Sequence, residues 1–410
     1  MRMWVYAARR AALLVPLLLG VVTVTFVVSS FLPVADRTAP YASVSTGPYM
    51  GPPSCTPGGC GPYIDPNASS FIALGQPVPV QWAVYVYHTL TFQWGHVASR
   101  SLLGEGNAGF PAFKGQPVVA VLAEFLPYSL ELVLLALLFT LLVVLPVRTR
   151  ATLNPGQTAD HIGRILTLLG FGIPGFFLGV VLLNFVASVW AGSAASGPSL
   201  ICPSGTVFLE LYGSWPVPHC AIWGTPLAQS GYPVWLVNGY QSTPTGFPTL
   251  DALLHGDGWL ALDTLFRMLL PALVIALGAI AAVLRLPRYA TTHRIDLEFV
   301  RAARAKGLPE SDLLRKHARQ YSLVELLAVL GPAFLVILGS LPILETVFNL
   351  DGVGRLFVLS LSTSGGTYDF GIAFGVVLVA AFLTLVANWV LDVVRAYLDP
   401  RLRLEPGRMA

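Results

Sequence analysis

Charge is scarce in this chain. Only 11% of its 410 residues are Asp, Glu, Lys or Arg, against about 25% in ordinary soluble domains. A water-solvated globule of this size is excluded on that ground. Catalytic signatures are missing as well. There is no G-x-x-x-x-G-K-S/T loop to cradle nucleotide phosphates, no H-E-x-x-H, no G-x-S-x-G and no Ser-His-Asp pattern. The seven histidines are scattered, and none pairs with another at metal-ligand spacing on a helix. Cysteine is limited to four residues and C-x-x-C does not occur. Cys202 with the adjacent His219 and Cys220 is poor spacing for zinc, so no metal is expected. Any uphill work must draw on an ion gradient or on another subunit.

What the chain has instead is apolar length. It is 55% hydrophobic with a mean hydropathy of +0.69. Crossing a bilayer takes ~20 apolar residues as helix. Six stretches qualify: 11–32, 119–147, 162–190, 268–288, 322–343 and 371–395. The first is longer than a secretory h-region and no small-x-small cleavage site follows it, so it reads as a retained span. The expected class is an all-α polytopic membrane protein. Its segments divide as 1–32 with the first span, a loop region 33–118, spans two and three in 119–190, an insertion 191–267, spans four to six in 268–400 with an inner loop 289–321, and a tail 401–410.

Basic residues orient this topology. With both termini in the cytoplasm, only Arg37, Arg100, Lys114, Arg267 and Arg355 fall outside, and the rest of the 24 Lys and Arg fall inside. The expectation is a multi-pass cytoplasmic-membrane protein with two large extracytoplasmic loops. Cys55, Cys60, Cys202 and Cys220 all lie in those loops, on the oxidising side, and are disulfide candidates. Three pairings are open, with Cys55–Cys60 and Cys202–Cys220 closing the shortest loops. Asn67-Ala68-Ser69 is an N-glycosylation sequon on the same side. Within "VQWAVYVYHTLTFQWG" (80–95), Trp82, Tyr85, Thr89 and Phe92 share one face of a helix, which suits an interfacial amphipathic helix. The β-formers in "WAVYVYH" leave a strand open.

Ionisable residues near the spans are few, as a coupling or path role would require them to stand out. Glu124 and Glu131 share a face of span two, Glu325 begins span five, and Asp392 and Arg395 close span six. Glu131, Glu345 and Asp351 are the candidates for a translocation path.

The densest positive cluster is "RAARAKGLPESDLLRKHARQ" (301–320), with six Lys or Arg between apolar stretches. Phe299, Ala302, Ala303 and Lys306 recur at helical spacing, Gly307 suits a helix end, and Pro309 suits a new start. Two short helices with a Gly break are expected on the cytoplasmic face.

"VRAARAKGL" followed by "HA" resembles the EAA loop of ABC importer permeases, in particular the dipeptide/oligopeptide family. "RRAALLVPLLLGVVTVTFVVSSFLP", "VVAVLAEFLPYSLELVLLALL", "LLGFGIPGFFLGVVLL" and "LLPALVIALGAIAAVLRLPRYA" resemble that family's first four spans. "LPILETVFNLDGVGRL" and "YLDPRLR" resemble the loop after span five and the terminus. The chain departs from the pattern at Arg301, where the motif has Glu, at Glu325, where the family often has Pro, and in the length of 191–260.

The resemblance implies a type I ABC importer permease of six spans with a coupling helix at 298–312. Glu298, Arg301, Ala302, Ala303, Arg304, Lys306, Gly307 and Leu308 are the implied ATPase-coupling residues. It further implies a homologous second permease, two ABC ATPases that hold the ATP and magnesium, and an extracytoplasmic solute-binding protein. The chain itself would carry no cofactor, sit in the lipid bilayer and bind no nucleic acid. Di- and oligopeptides are the implied substrates; a related importer of oligosaccharides and an ion-coupled secondary transporter are the rivals.

Overall fold

The computed structural model describes residues 3–41, 54–56, 59–61, 71–97, 115–153, 158–191, 245–254, 256, 258–285, 319–348, 350, 352–361 and 368–398. Helices dominate. Met3–Ala12 (α1), Leu14–Ser30 (α2) and Val34–Thr38 (α3) lead, with a 3-10 turn at Ala39–Tyr41. A two-stranded hairpin follows, Ser54–Thr56 (β1) against Gly59–Gly61 (β2). Then come Val78–Leu90 (α4), Val118–Leu153 (α5), Thr158–Gly172 (α6) and Gly175–Ala191 (α7). Pro248–Leu254 (α8), Gly258–Arg285 (α9), Arg319–Val347 (α10), Val353–Ser360 (α11) and Phe370–Leu398 (α12) complete the described elements.

Among the described residues, five helices are long and apolar enough to cross a membrane, and a sixth span appears if α6 and α7 are joined. The protein is a multi-pass membrane protein. Two expected spans change shape. The first starts at Met3, because α1 runs into α2 through a single turn residue, Leu13. The third, expected as one rod over 162–190, is bent by 97° between His161–Gly172 and Gly175–Phe185. Pro174 is the cause. It has no N–H to continue the ladder, and it opens the next helix by accepting from Leu178 N at 3.1 Å. Other prolines, at 127, 146, 271, 332 and 342, sit inside continuous helices, as neighbouring helices in a bundle allow.

The helix expected within residues 80–95 is present but ends at Leu90; the strand alternative does not form there. α4 lies against span one: Trp82 Nε1 donates to Thr23 Oγ1 at 3.1 Å, and Tyr85 Oη donates to Thr25 Oγ1 at 3.2 Å. Phe92 is not on that face. It follows the helix end with a positive φ of 57° and is 66% exposed.

Helix packing in lipid gains from small residues that let backbones approach. On α9, Ala272, Ala276 and Ala279 are fully buried against α5 and α10, where Leu132, Ala136, Ala333 and Ile337 meet them. Gly170 of α6 lies so close to α9 that an added Cβ would stand 2.7 Å from Leu277 O. A second cluster joins Val118, Leu122 and Phe125 of α5 to Val353 and Leu356 of α11 and Ile372 of α12. The bundle has two ends. At the end bearing the N-terminus, Arg10 pairs with Asp392 at 3.1 Å, Asp392 pairs with Arg395 at 3.1 Å, and Trp389 Nε1 donates to Ala7 O at 3.1 Å. The opposite end, called the loop end below, carries α3, α4, α8 and α11.

Candidate functional site

Span two organises the loop end. Gly352 is the N-cap residue of α11 and has no side chain to satisfy the free N–H groups of the first turn. Those groups are met by other helices. Val353 N donates to Ser129 Oγ of α5 at 2.8 Å, and Arg355 N donates to Glu345 Oε2 of α10 at 3.0 Å. Ser129 Oγ in turn donates to Glu345 Oε1 at 2.6 Å. Both Glu345 (0% exposed) and Ser129 (2% exposed) are sealed from solvent. A carboxylate at a helix N-terminus is favoured by the helix dipole. Here it also accepts a charge-assisted bond from each side. The glycines make this fit possible: Cβ atoms at Gly352 would collide with Glu345 and Ser129, and one at Gly354 would stand 2.6 Å from Leu341 C and 2.7 Å from Pro342 N.

The short helix α8 is held in a related way. Thr249 N donates to Glu131 Oε2 of α5 at 3.4 Å, and the Thr249 and Thr264 hydroxyls share a bond of 3.0 Å that ties α8 to α9. Asp251, fully buried, folds the preceding turn by accepting from Thr245 N at 3.1 Å and Thr245 Oγ1 at 2.6 Å. Gly246, at φ +74°, rests on Pro127 of α5.

A cavity of about 70 Å³ opens between α2, α4 and the start of α12, lined in part by Arg37, Tyr41, Tyr85, His88 and Phe374. His88 is 7% exposed and stacks on Phe71 with ring centroids 4.0 Å apart. Burial pushes the His88 imidazole below its ordinary value. It raises Tyr41, helped by Tyr85, and it raises Tyr85 against the bond to Thr25. Burial also lowers Arg37, whose Nη2 donates to Gln81 Oε1 at 3.3 Å.

The residues singled out in the sequence fall into three groups. Glu298, Arg301, Ala302, Ala303, Arg304, Lys306, Gly307 and Leu308 lie outside the described residues, as do Asp351, Cys202 and Cys220. Glu131 is half-buried on α5 and faces α8. Glu345, expected along a path, is enclosed between α5, α10 and α11. The β1–β2 register sets Cys55 opposite Cys60. Among the described residues no His, Cys, Asp or Glu cluster is able to hold a metal.

Ser129, Asp251, Gly352 and Gly354 were not anticipated. A signal for the glycines was present: "DGVG" immediately before an apolar segment marks a backbone that must approach something closely. Ser129 had none, because one hydroxyl in an apolar helix looks like any other.

Comparison with known proteins agrees with this architecture. The profile of binding-protein-dependent transport system inner membrane components matches residues 149–404, more than half of the chain. The chain is similar to the probable D,D-dipeptide transport system permease protein DdpB of Escherichia coli K12, 28% identical over 405 residues and covering 98% of both proteins. It is similar to the dipeptide transport system permease protein DppB of the same organism, 25% identical over 402 residues, covering 97% of this chain and 98% of the relative. The putrescine export system permease protein SapB of Escherichia coli K12 is 26% identical over 295 residues, 71% of this chain and 79% of the relative.

Proposed function

The chain belongs to the family of binding-protein-dependent transport system inner membrane components, and from that premise we propose that it is a permease subunit of an ATP-driven importer of dipeptides and short oligopeptides. The observation that carries the substrate class is end-to-end similarity to two permeases named for dipeptide transport. The chain forms half of the path, and a homologous permease forms the other half. An extracytoplasmic binding protein delivers solute, and two ATPases dock on the cytoplasmic side. The distribution of Lys and Arg supports both termini in the cytoplasm. In that orientation the loop end faces outward, and 298–312 carries ATPase movement into the spans. Rocking of the bundle then exposes the path to either side in turn. No nucleotide-binding loop is present in the sequence, so ATP is hydrolysed by the partners.

The test is reconstitution in proteoliposomes. Uptake of a labelled dipeptide should need the binding protein, the second permease, the ATPases and ATP together. Uptake by this chain alone without ATP would overturn the reading. Transport of putrescine with indifference to peptides would move the chain toward the activity for which SapB is named.

A further inference from the structure

Span two stands between two short helices that arrive from different loops. Ser129 and Glu131 are two residues apart on α5, about 200° around a helix, so they face opposite flanks. On one flank Ser129 joins Val353 N at 2.8 Å and Glu345 Oε1 at 2.6 Å, and Glu345 holds Arg355 N. On the other, Glu131 meets Thr249 N at 3.4 Å, with Gly246 resting on Pro127 one turn earlier.

We propose that Ser129, Glu131 and Glu345 are positioning residues that make α8, α5 and α11 move as one body, so that displacement of span two repositions both short helices at the loop end in each transport cycle. The proposal rests on the permease reading. Helices of seven and eight residues do not hold themselves in place, since isolated helices below ~12 residues are marginal. Their placement comes from what they are bonded to. For α11 the contact is rigid: Gly352 and Gly354 leave no space for a methyl group, so the helix cannot slide along α5 or α10 without opening the Ser129–Glu345 bond. For α8 the bonds run to both neighbours, Glu131 on α5 and Thr264 on α9. The two helices therefore report the position of span two to the side where solute enters. Simple structural support predicts something different: loss of assembled complex, with every assembled complex working normally.

The experiment uses the full complex in proteoliposomes, with dipeptide uptake and ATP hydrolysis measured on the same preparation. The variants are Ser129→Ala, Glu131→Ala, Glu345→Ala and Glu345→Gln. Losing a buried partner should lower uptake per ATP hydrolysed by about fivefold or more in each Ala variant, with hydrolysis still running near the wild-type rate. Glu345→Gln keeps the side-chain shape and an acceptor oxygen, and should recover part of the loss. If Glu345→Ala fails to assemble, Ser129→Ala, which removes one oxygen atom, decides. Uptake and hydrolysis that fall together with the amount of assembled complex would overturn the proposal, as would an unchanged ratio. Absence of ATP-dependent uptake by the wild-type complex would instead bring down the permease reading beneath it.

Discussion

Replacing Gly354 with alanine sets two effects against each other, and the structure decides between them. In an exposed helix interior the change would stabilise by up to about 1 kcal/mol, because glycine costs more backbone entropy. At position 354 the new methyl group would stand 2.6 Å from Leu341 C and 2.7 Å from Pro342 N. Both are main-chain atoms of α10, so no side-chain rotation relieves the clash. Overpacking of this kind costs roughly 1–3 kcal/mol, and residue 354 is in the first turn of α11, where the propensity gain is smallest. The net effect should be a loss of about 1–2 kcal/mol in docking of α11, or roughly a 5- to 30-fold rise in its open population. Gly339→Ala on α10 is the control, because nothing lies within 4 Å of a Cβ there. Trypsin offers the readout. Arg355 is in the first turn of α11, half-buried in the docked state. Where opening is fast, cleavage tracks the open population. Cleavage after Arg355, followed by mass spectrometry on detergent-purified complex, should accelerate about 5- to 30-fold in Gly354→Ala and stay at the wild-type rate in Gly339→Ala. Equal rates in Gly354→Ala and wild type would refute the argument that this glycine is required by close approach.

Three further outcomes are expected. His88 is held below its ordinary pKa by burial, so the undocked state takes up a proton first as pH falls through about 6.5; anchoring of α4 is complete above that pH and weakens below it. The complex should melt lower at about pH 5.5 than at about pH 7.5, and the difference should shrink in His88→Phe; a flat melting profile in the wild type would contradict this. Cys55 and Cys60 face each other across the β1–β2 register, within the reach a disulfide needs, so alkylation at both should appear only after a reductant is added. Arg10 is 46% exposed in its pair with Asp392, so Arg10→Ala should cost under about 1 kcal/mol, while Asp392→Ala, which removes the partner of two arginines, should cost about 1–3 kcal/mol by thermal melting in mild detergent; equal losses would argue against a shared network.

The spans were legible because hydropathy over ~20 residues is a strong, additive signal. Direction is not part of that signal. "GFGIPGFF" is as apolar as a straight helix, so the turn at Pro174 was invisible until tertiary contacts of Gly170 and Gly179 with α9 and α10 placed the two halves. The helix at 78–90 was readable from its aromatic spacing, yet its partner, the Thr23 and Thr25 hydroxyls of span one, was not. Glu131 and Glu345 were picked out as rare carboxylates in apolar surroundings. Their bonds to Thr249 and Ser129 cross 118 and 216 residues of chain, and no local pattern encodes a partner at that distance. Five other prolines sit inside helices, and there the hydropathy signal, which runs straight through them, was the better guide than a soluble-protein rule that would have broken each helix.

The Trp389–Ala7 bond spans 382 residues, and that separation bears on how the chain is made. Span one is synthesised first, but the ion-pair partner of its Arg10 lies on the last helix, as does the indole that adds a second bond to the Ala7 carbonyl, already bonded within α1. Until residues 389–395 emerge, that edge of the bundle has no neighbour to close it. The first helix must therefore wait in the bilayer through the synthesis of all the others, and a product that stops short of residue 389 leaves Arg10 without its carboxylate partner. A membrane protease or chaperone that reads unpaired polar groups in lipid would meet a truncated chain and a finished one as different objects, from the N-terminal helix alone.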